Sequence, residues 1–467
     1  MAQTNLVVTD PATIDLRIDQ LEPRPVGTER WIEDWRPEDP TFWSGGGEAV
    51  ARRNLVYSII SEHIGFSIWS MWSVLVLFLG AEYGFDPAQK FLLTTIPVAV
   101  GAVLRVPYTF AVAKFGGRNW TIFSTLLLLV PCALTAAVLK PGVGFSTLLI
   151  VGAFAGVGGG NFSSSMANID AYYPQRLKGW ALGLNAGGGN IGVAAVQLVG
   201  LGVLAVFGPS HPRLVPAIYA PLILLATLGA ARSMNNLRPV SNDQGAMREA
   251  LRERHSWVIL MLYVGTFGSF IGFGFAFGQV LQVQFADTFD TPVKAAGVTF
   301  LGPLIGSLMR PVGGKLADAR VGSVVTFWVF VGMAIGATTV IVASLVGSLP
   351  LFVIGFVSLF VLSGLGNGST YKMIPAVFAA KSELAIEDGV DPESAGRQAK
   401  RRSRAIIGLA GAVGAFGGVL VNLSFRQAFL TAKTGDRAYA AFIVVYVLCA
   451  LLTWVVYRRR DAGLIGV

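Results

Sequence analysis

The sequence predicts an all-α polytopic membrane protein, with twelve transmembrane helices arranged as two pseudo-symmetric six-helix halves. Three observations carry that expectation. Of 467 residues, 53% are hydrophobic and 13% charged, and the mean hydropathy is +0.61, well beyond an ordinary soluble chain. Successive apolar runs along the chain each supply about the 20 residues that a spanning helix needs. The chain also repeats itself. Arg105 in GAVLRVPYTF is echoed by Arg310 in GSLMRPVGG, AGVGGG at 155–160 by SGLGNG at 363–368, and GLNAGGGNIG at 183–192 by GLAGAVGAFG at 408–417. The offset grows from 205 to 208 to 225, and the last step falls where the charged segment after the tenth run exceeds its counterpart after the fourth.

In chain order, residues 1–52 are polar and lack the basic start and apolar core of a secretory signal, so they read as a cytoplasmic N-terminal segment. Runs beginning near Leu55 and at 91–113, 119–139, 145–167, 180–207 and 215–233 form the first half, 53–233. A cytoplasmic linker, 234–255, precedes runs at 256–282, 294–313, 323–345, 349–375, 403–425 and 438–457, which form the second half, 256–457. Residues 458–467 are a cytoplasmic tail. Lys and Arg gather before the first run (Arg52, Arg53) and after the second, fourth, sixth, eighth, tenth and twelfth, including a charged loop at 376–402. The positive-inside rule then puts both termini in the cytoplasm, although Arg426, Lys433 and Arg437 stand in the last outer loop. The net charge of +9 is spread over these short loops, so it reports topology and not nucleic-acid binding. Cys132 and Cys449 lie far apart in apolar runs and read as packing residues.

Charges inside the runs are the informative exceptions. A charged side chain near the middle of a membrane helix costs roughly 2.5–3.5 kcal/mol, so it usually faces a cavity and a partner. Arg105, Arg310 and Lys372 stand against Glu62, and the excess of positive charge asks for an anion. Parallel halves place a ligand between them near the midplane, as in many transporters. In the fifth run Gly183, Ala186 and Asn190 share a helical face, as Gly411, Ala415 and Gly418 do in the eleventh. Such glycines permit close helix packing; Asn190 suits either a hydrogen bond at a central cavity or an interhelical one. Tyr263, Phe267 and Phe270 recur at helical spacing, which fits packing or an aromatic clamp. GVGGGNFSSSMAN in the fourth run follows no predicted strand and lacks a GK[ST] ending, which argues against a phosphate loop. With no paired carboxylates, nucleophile triad or metal-ligand cluster, neither an enzyme nor a cofactor is expected.

GGKLADARVG at 313–322 resembles the cytoplasmic loop motif of the major facilitator superfamily, with Asp318 and Arg320 as its charged members. WRPEDPTFW at 35–43, LRVPYTF around Arg105, NFSSSMANI from Asn161, GLNAGGGNIG, TFGSFIGF from Thr266 and GAVGAFGG from Gly411 resemble motifs of its nitrate/nitrite porter family over nearly the whole chain. The resemblance implies the major facilitator fold and alternating access, with nitrate and nitrite as partners in a lipid bilayer. It implies that Arg105 and Arg310 clamp the anion from opposite halves, that Asn190 and Tyr263 donate hydrogen bonds, and that Phe162 and Phe267 pack on its planar faces. Gly183, Gly187, Gly189, Gly408, Gly411 and Gly414 would belong to the family's signature helices. A planar guanidinium presents forked donors to a planar oxyanion, which suits this assignment. The chain departs from the family pattern at Ala186, where a glycine is expected, and at Gly411, where some members carry a hydroxyl residue.

Two couplings fit. Exchange of nitrate for nitrite is electroneutral and needs no titratable site, and it is the favoured expectation. Proton symport needs an acid; Glu62 is the candidate, as carrier or salt-bridge partner, with Lys372 as a second coupling residue and His63 beside Glu62. Two rivals are a porter for a larger organic anion and a non-transporting anion sensor, which flux measurements separate.

Overall fold

The structure, a computed structural model, describes residues 29–238, 244–459 and 464. Residues 1–28, 239–243 and most of the tail, parts of the expected N-terminal, linker and C-terminal segments, lie outside the described residues. Among the described residues twelve helices are long and apolar enough to cross a membrane. They are α1 (Pro40–Phe78), α2 (Pro87–Phe115), α3 (Gly117–Val138), α4 (Phe145–Tyr172), α5 (Gln175–Phe207), α6 (Leu214–Ser233), α7 (Arg254–Gln284), α8 (Pro292–Arg320), α9 (Gly322–Val346), α10 (Leu349–Glu387), α11 (Pro392–Thr431) and α12 (Asp436–Arg458). The expected twelve-helix architecture is therefore present.

The repeat in the sequence reappears as matched close contacts. A Cβ on Gly156 of α4 would meet the Gly101 nitrogen of α2 at 2.9 Å, and one on its counterpart Gly364 of α10 would meet the Gly306 oxygen of α8 at 2.2 Å. Gly158 likewise abuts Gly65 of α1, while Gly366 abuts Thr266 of α7. Backbones approach this closely only where no side chain intervenes. Equivalent glycines thus set equivalent helix contacts in the two halves, and α1 and α7 take matching central places. The apolar windows of α1 and α7 are 83% and 89% buried, against 33–39% for α3, α6, α9 and α12, whose outer faces carry Phe123, Leu225, Ile335 and Leu448. Those four helices form the lipid-facing periphery.

The halves meet through α2 against α11 and α5 against α8. Away from the linker they are stitched together. Phe91 of α2 stacks on Phe425 and Phe429 of α11, Gln279 donates to the Pro87 oxygen at 2.6 Å, Gln197 donates to the Gly274 oxygen at 2.8 Å, and Thr94 donates to Asn422. On the linker side a cavity of about 600 Å³ runs between them. The fold is closed on one side and open on the other.

Three elements differ from the expectation. The first helix begins at Pro40, fifteen residues before Leu55, because Asp39 caps it by accepting from the Thr41 and Phe42 nitrogens and Pro40 takes the first helical position. The charged segment 376–402 is no loop: α10 continues to Glu387, and α11 starts at Pro392 with Asp391 accepting from the Ser394 nitrogen. Its Lys, Arg, Glu and Ala content favours helix, and a short linker helix, Gln244–Arg252, packs against α11. Arg401 and Arg402 bridge to Glu249, and Lys381 to Glu253. Two short strands, β1 (Trp31–Ile32) and β2 (Asn236–Leu237), pair in parallel and tie the segment before α1 to the start of the linker.

Candidate anion-binding site

Arg105 and Arg310 converge between the halves. Arg105 sits on α2, fully buried; its Nε donates to the Gly159 oxygen of α4 at 3.0 Å and one Nη to the Gly411 oxygen of α11 at 2.6 Å, so it reaches across to the other half. Arg310 on α8 is 3% exposed, and one Nη donates to the Tyr263 hydroxyl at 3.0 Å. Each arginine keeps one buried Nη without a protein acceptor. Two cations so placed are costly, since a buried charge needs a partner. Glu62 is the only buried acidic side chain among the described residues, and its hydrogen bonds go elsewhere.

Aromatic rings fill the space between the guanidinium groups. Phe162 of α4 lies 4.6 Å from the Arg105 guanidinium carbon and 5.7 Å from that of Arg310; Phe267 of α7 lies 5.1 and 5.7 Å from them. A π-type turn at Val264–Gly268 sets Tyr263 flat against Phe267, with centroids 5.2 Å apart and planes 9° apart. The Phe162 and Phe267 rings stand 5.9 Å apart. An anion sandwiched between them needs about 7 Å, two contact distances of roughly 3.5 Å, so the rings must part by about 1 Å to admit one.

The glycines divide into three groups. A Cβ on Gly411 would meet Phe162 at 3.0 Å, and one on Gly414 would meet the Tyr263 ring at 2.5 Å and Phe267 at 3.2 Å. These two back the aromatic plates. Gly189 makes room for the Glu62 carboxylate and Gly408 for Thr109, whereas Gly183 faces open space and Gly187 has nothing nearer than Pro311 at 3.8 Å. Asn190 is fully buried, on the α5 face that Gly187 turns toward α8, and both its amide atoms lack a protein partner. That leaves its hydrogen-bonding capacity available between the halves.

Two expectations about charge change. Lys372 lies not in the central cavity but at the linker end of α10, where its Nζ bridges Asp318 at 2.9 Å and touches the Gly179 position of α5. Its charge is neutralised there, which removes it from the surplus facing the cavity. Glu62 forms no ion pair with either arginine: it accepts from Ser165 of α4 and, at 2.6 Å, from Asn185 of α5. His63 turns aside, its Nδ1 3.1 Å from the Gly188 oxygen.

Sequence reasoning missed Phe66, Trp69 and Tyr371. Phe66 and Trp69 lie 5.8 and 5.0 Å from the Arg105 guanidinium carbon, and Tyr371 lies 5.5 Å from that of Arg310. The available signal was their spacing: Phe66 follows Glu62 by four places and Trp69 by seven, on one helical face. The cavity on the linker side ends on Phe162, Ser163 and Gly408, and its mouth carries Arg397, Lys400, Arg401 and Arg404. Arg404 crosses the halves to Asp170 at 3.1 Å, which Lys178 also bridges.

Residues 63–422 match the Major Facilitator Superfamily. The chain is 37% identical over 451 residues to the nitrate/nitrite transporter NarU of Salmonella typhimurium, covering 92% of this chain and 96% of that protein. It is 33% identical to the probable nitrate/nitrite antiporter NarK2 of Thermus thermophilus, covering 92% and 97%. Among solved structures, a D-xylose-proton symporter superposes with a TM-score of 0.63 at 13% identity, covering 87% of this chain and 97% of that one. A bacterial homologue of the lysosomal transporter Spinster, inward-facing, gives 0.61 at 17% identity, with 87% and 96% covered.

Proposed function

The chain belongs to the major facilitator superfamily and, within it, to the nitrate/nitrite transporters, and from this membership we propose that it exchanges nitrate for nitrite across the cell membrane by alternating access. The observation that carries the reading is the arginine pair: two buried guanidinium groups from opposite halves, each with an unpaired Nη, flanked by Phe162 and Phe267. In this reading the anion accepts from both free Nη groups and from Tyr263 and Asn190, and joins the halves through its own oxygens. Charge-assisted bonds of this kind offset the desolvation of a small oxyanion. The two π-faces restrict the space between them to a flat ligand.

Exchange follows from the energetics. Carrying one negative charge inward against an inside-negative potential costs about 2.3 kcal/mol per 100 mV. Swapping one monovalent anion for another cancels that cost, and it uses the arginine pair without any titrating group. The glycines of α11 let it move against Phe162 of the opposite half while Tyr263 and Phe267 travel with it as the halves rock. Basic residues at the linker end of α11, and those preceding α1, support a cytoplasmic position for the termini and the linker. Labelled-nitrate uptake into proteoliposomes tests the reading. Uptake into nitrite-loaded vesicles that exceeds uptake into empty ones is the expected result, and equal uptake by both, with no proton gradient, would refute exchange.

A further inference from the structure

The linker-side cavity has a built interior that the arginine clamp does not use. α4 and α11, from different halves, run antiparallel along it. At the inner end a Cβ on Gly411 would lie 3.5 Å from the Ser163 Oγ, and at the outer end Arg404 bridges Asp170 at 3.1 Å. Between these contacts α4 presents Ser163, Met166, Ala167 and Asp170, while α11 presents Arg404, Ile407 and Gly408. Both sets keep the three- and four-residue spacing of a single helical face, so the two faces enclose a chamber. Seven residues separate its ends, about 10 Å along the helices.

The inner end offers a hydrogen bond. Ser163 is 2% exposed and its Oγ has no partner. A helical serine commonly bonds a carbonyl three or four residues back, as Ser164 does to Asn161 and Ser165 to Phe162. Ser163 does not: the Gly159 oxygen, four residues back, already accepts from Arg105. Its hydroxyl is left for an occupant of the chamber.

The outer end offers charge. Lys178 and Arg404 both bridge Asp170, so two cations share one carboxylate and the cluster keeps a surplus positive charge. Arg404 binds Asp170 through Nε, and its side chain is 60% exposed, which leaves the Nη fork for another acceptor. Of the other basic residues at the mouth, Arg397 bridges Glu393 and Arg401 bridges Glu249. A small oxyanion cannot touch both ends of a chamber this long. One seated on Ser163 keeps water on its other side, and a cavity of about 600 Å³ has room for both.

We propose that this chamber is a second binding station for a small, partly hydrated oxyanion on the linker-side path to the clamp. Ser163 is its direct donor, and the Asp170, Lys178 and Arg404 cluster supplies the field that draws the anion in. The inference rests on the anion-porter reading and adds a stop to the route. One surplus charge about 10 Å away at an effective dielectric near 20 corresponds to roughly tenfold in affinity. A hydrogen bond from a neutral donor to an anion is worth a similar factor.

Labelled-nitrate binding to the purified full chain tests this. The wild type is expected to bind two anions per chain, one tightly at the clamp and one weakly in the chamber. Ser163→Ala should weaken only the weak step, by about tenfold, and Arg310→Lys only the tight one. A single saturable anion per wild-type chain, or a Ser163→Ala loss confined to the tight step, would overturn the proposal. Should Ser163→Ala fail to fold, Asp170→Asn decides the matter. It keeps an acceptor for Arg404 but removes a negative charge, so the weak step should tighten by about tenfold; an unchanged weak step would refute the station. A weak step without a tight one would sink the porter reading, a different result from a tight step alone, which sinks only the chamber.

Discussion

Arg105 and Arg310 hold equivalent places in the two halves, yet the protein secures them differently. Arg105 is fixed by two backbone oxygens, one of them across the interface on α11, and is ringed by Phe66, Trp69, Phe162 and Phe267. Arg310 has one neutral hydroxyl partner, Tyr263, within its own half. The residue four places before Phe66 and before Phe267 differs in kind as well. The offset of 201 that pairs Gly65 with Thr266 also pairs Phe66 with Phe267 and Glu62 with Tyr263. One half thus carries a carboxylate where the other carries a phenol that contacts its arginine. A symmetric scaffold supports an asymmetric site, with a fixed cation on one side and a more adaptable one on the other.

The largest expected effect comes from replacing either arginine with lysine. Lys keeps the charge but loses the fork, and each charge-assisted hydrogen bond is worth about 1.5–3 kcal/mol, so nitrate affinity should fall by roughly a hundredfold. Arg105→Lys should also lower the thermal midpoint, because it loses the contact with Gly411 that joins the halves; Arg310→Lys should leave it nearly unchanged. Equal midpoints would erase the contrast between anchored and adaptable arginine.

Smaller effects sharpen the same contrast. Gly414→Ala drives a methyl into the Tyr263 ring, so it should cut transport by about tenfold at nearly unchanged expression, a cost of about 1–3 kcal/mol typical of overpacking. Tyr263→Phe removes one neutral acceptor from Arg310, worth about 1 kcal/mol, and should weaken nitrate binding by about fivefold. Gly183→Ala, facing open space, should leave transport at the wild-type level. A loss there as large as at Gly414 would mean that α5 and α11 depend on glycine for bending and not for seating rings.

Much of this was legible in the sequence because membrane helices announce themselves by hydropathy and a charge within one is conspicuous. Arg105 and Arg310 could be found that way, and the repeat fixed their equivalence. Lys372 could not be placed: an apolar run does not reveal where its helix leaves the membrane, and α10 extends far enough to bring Lys372 to Asp318. Residues 376–402 read as a loop because a run of charge suggests solvent exposure, whereas Asp391, Pro392 and the following Lys and Arg residues suit a helix that projects beyond the bilayer. Phe66, Trp69 and Tyr371 were hidden among 30 phenylalanines, 10 tryptophans and 11 tyrosines, where spacing alone does not separate a clamp from packing.

The central claim is that one anion is held by both arginines at once, and a double-mutant cycle on nitrate binding addresses it most directly. Arg105→Lys, Arg310→Lys and the double variant should bind nitrate almost equally poorly, because losing either guanidinium fork dismantles the shared site. Losses that simply add, or near-wild-type affinity in either single variant, would mean that the arginines do not act on the same anion.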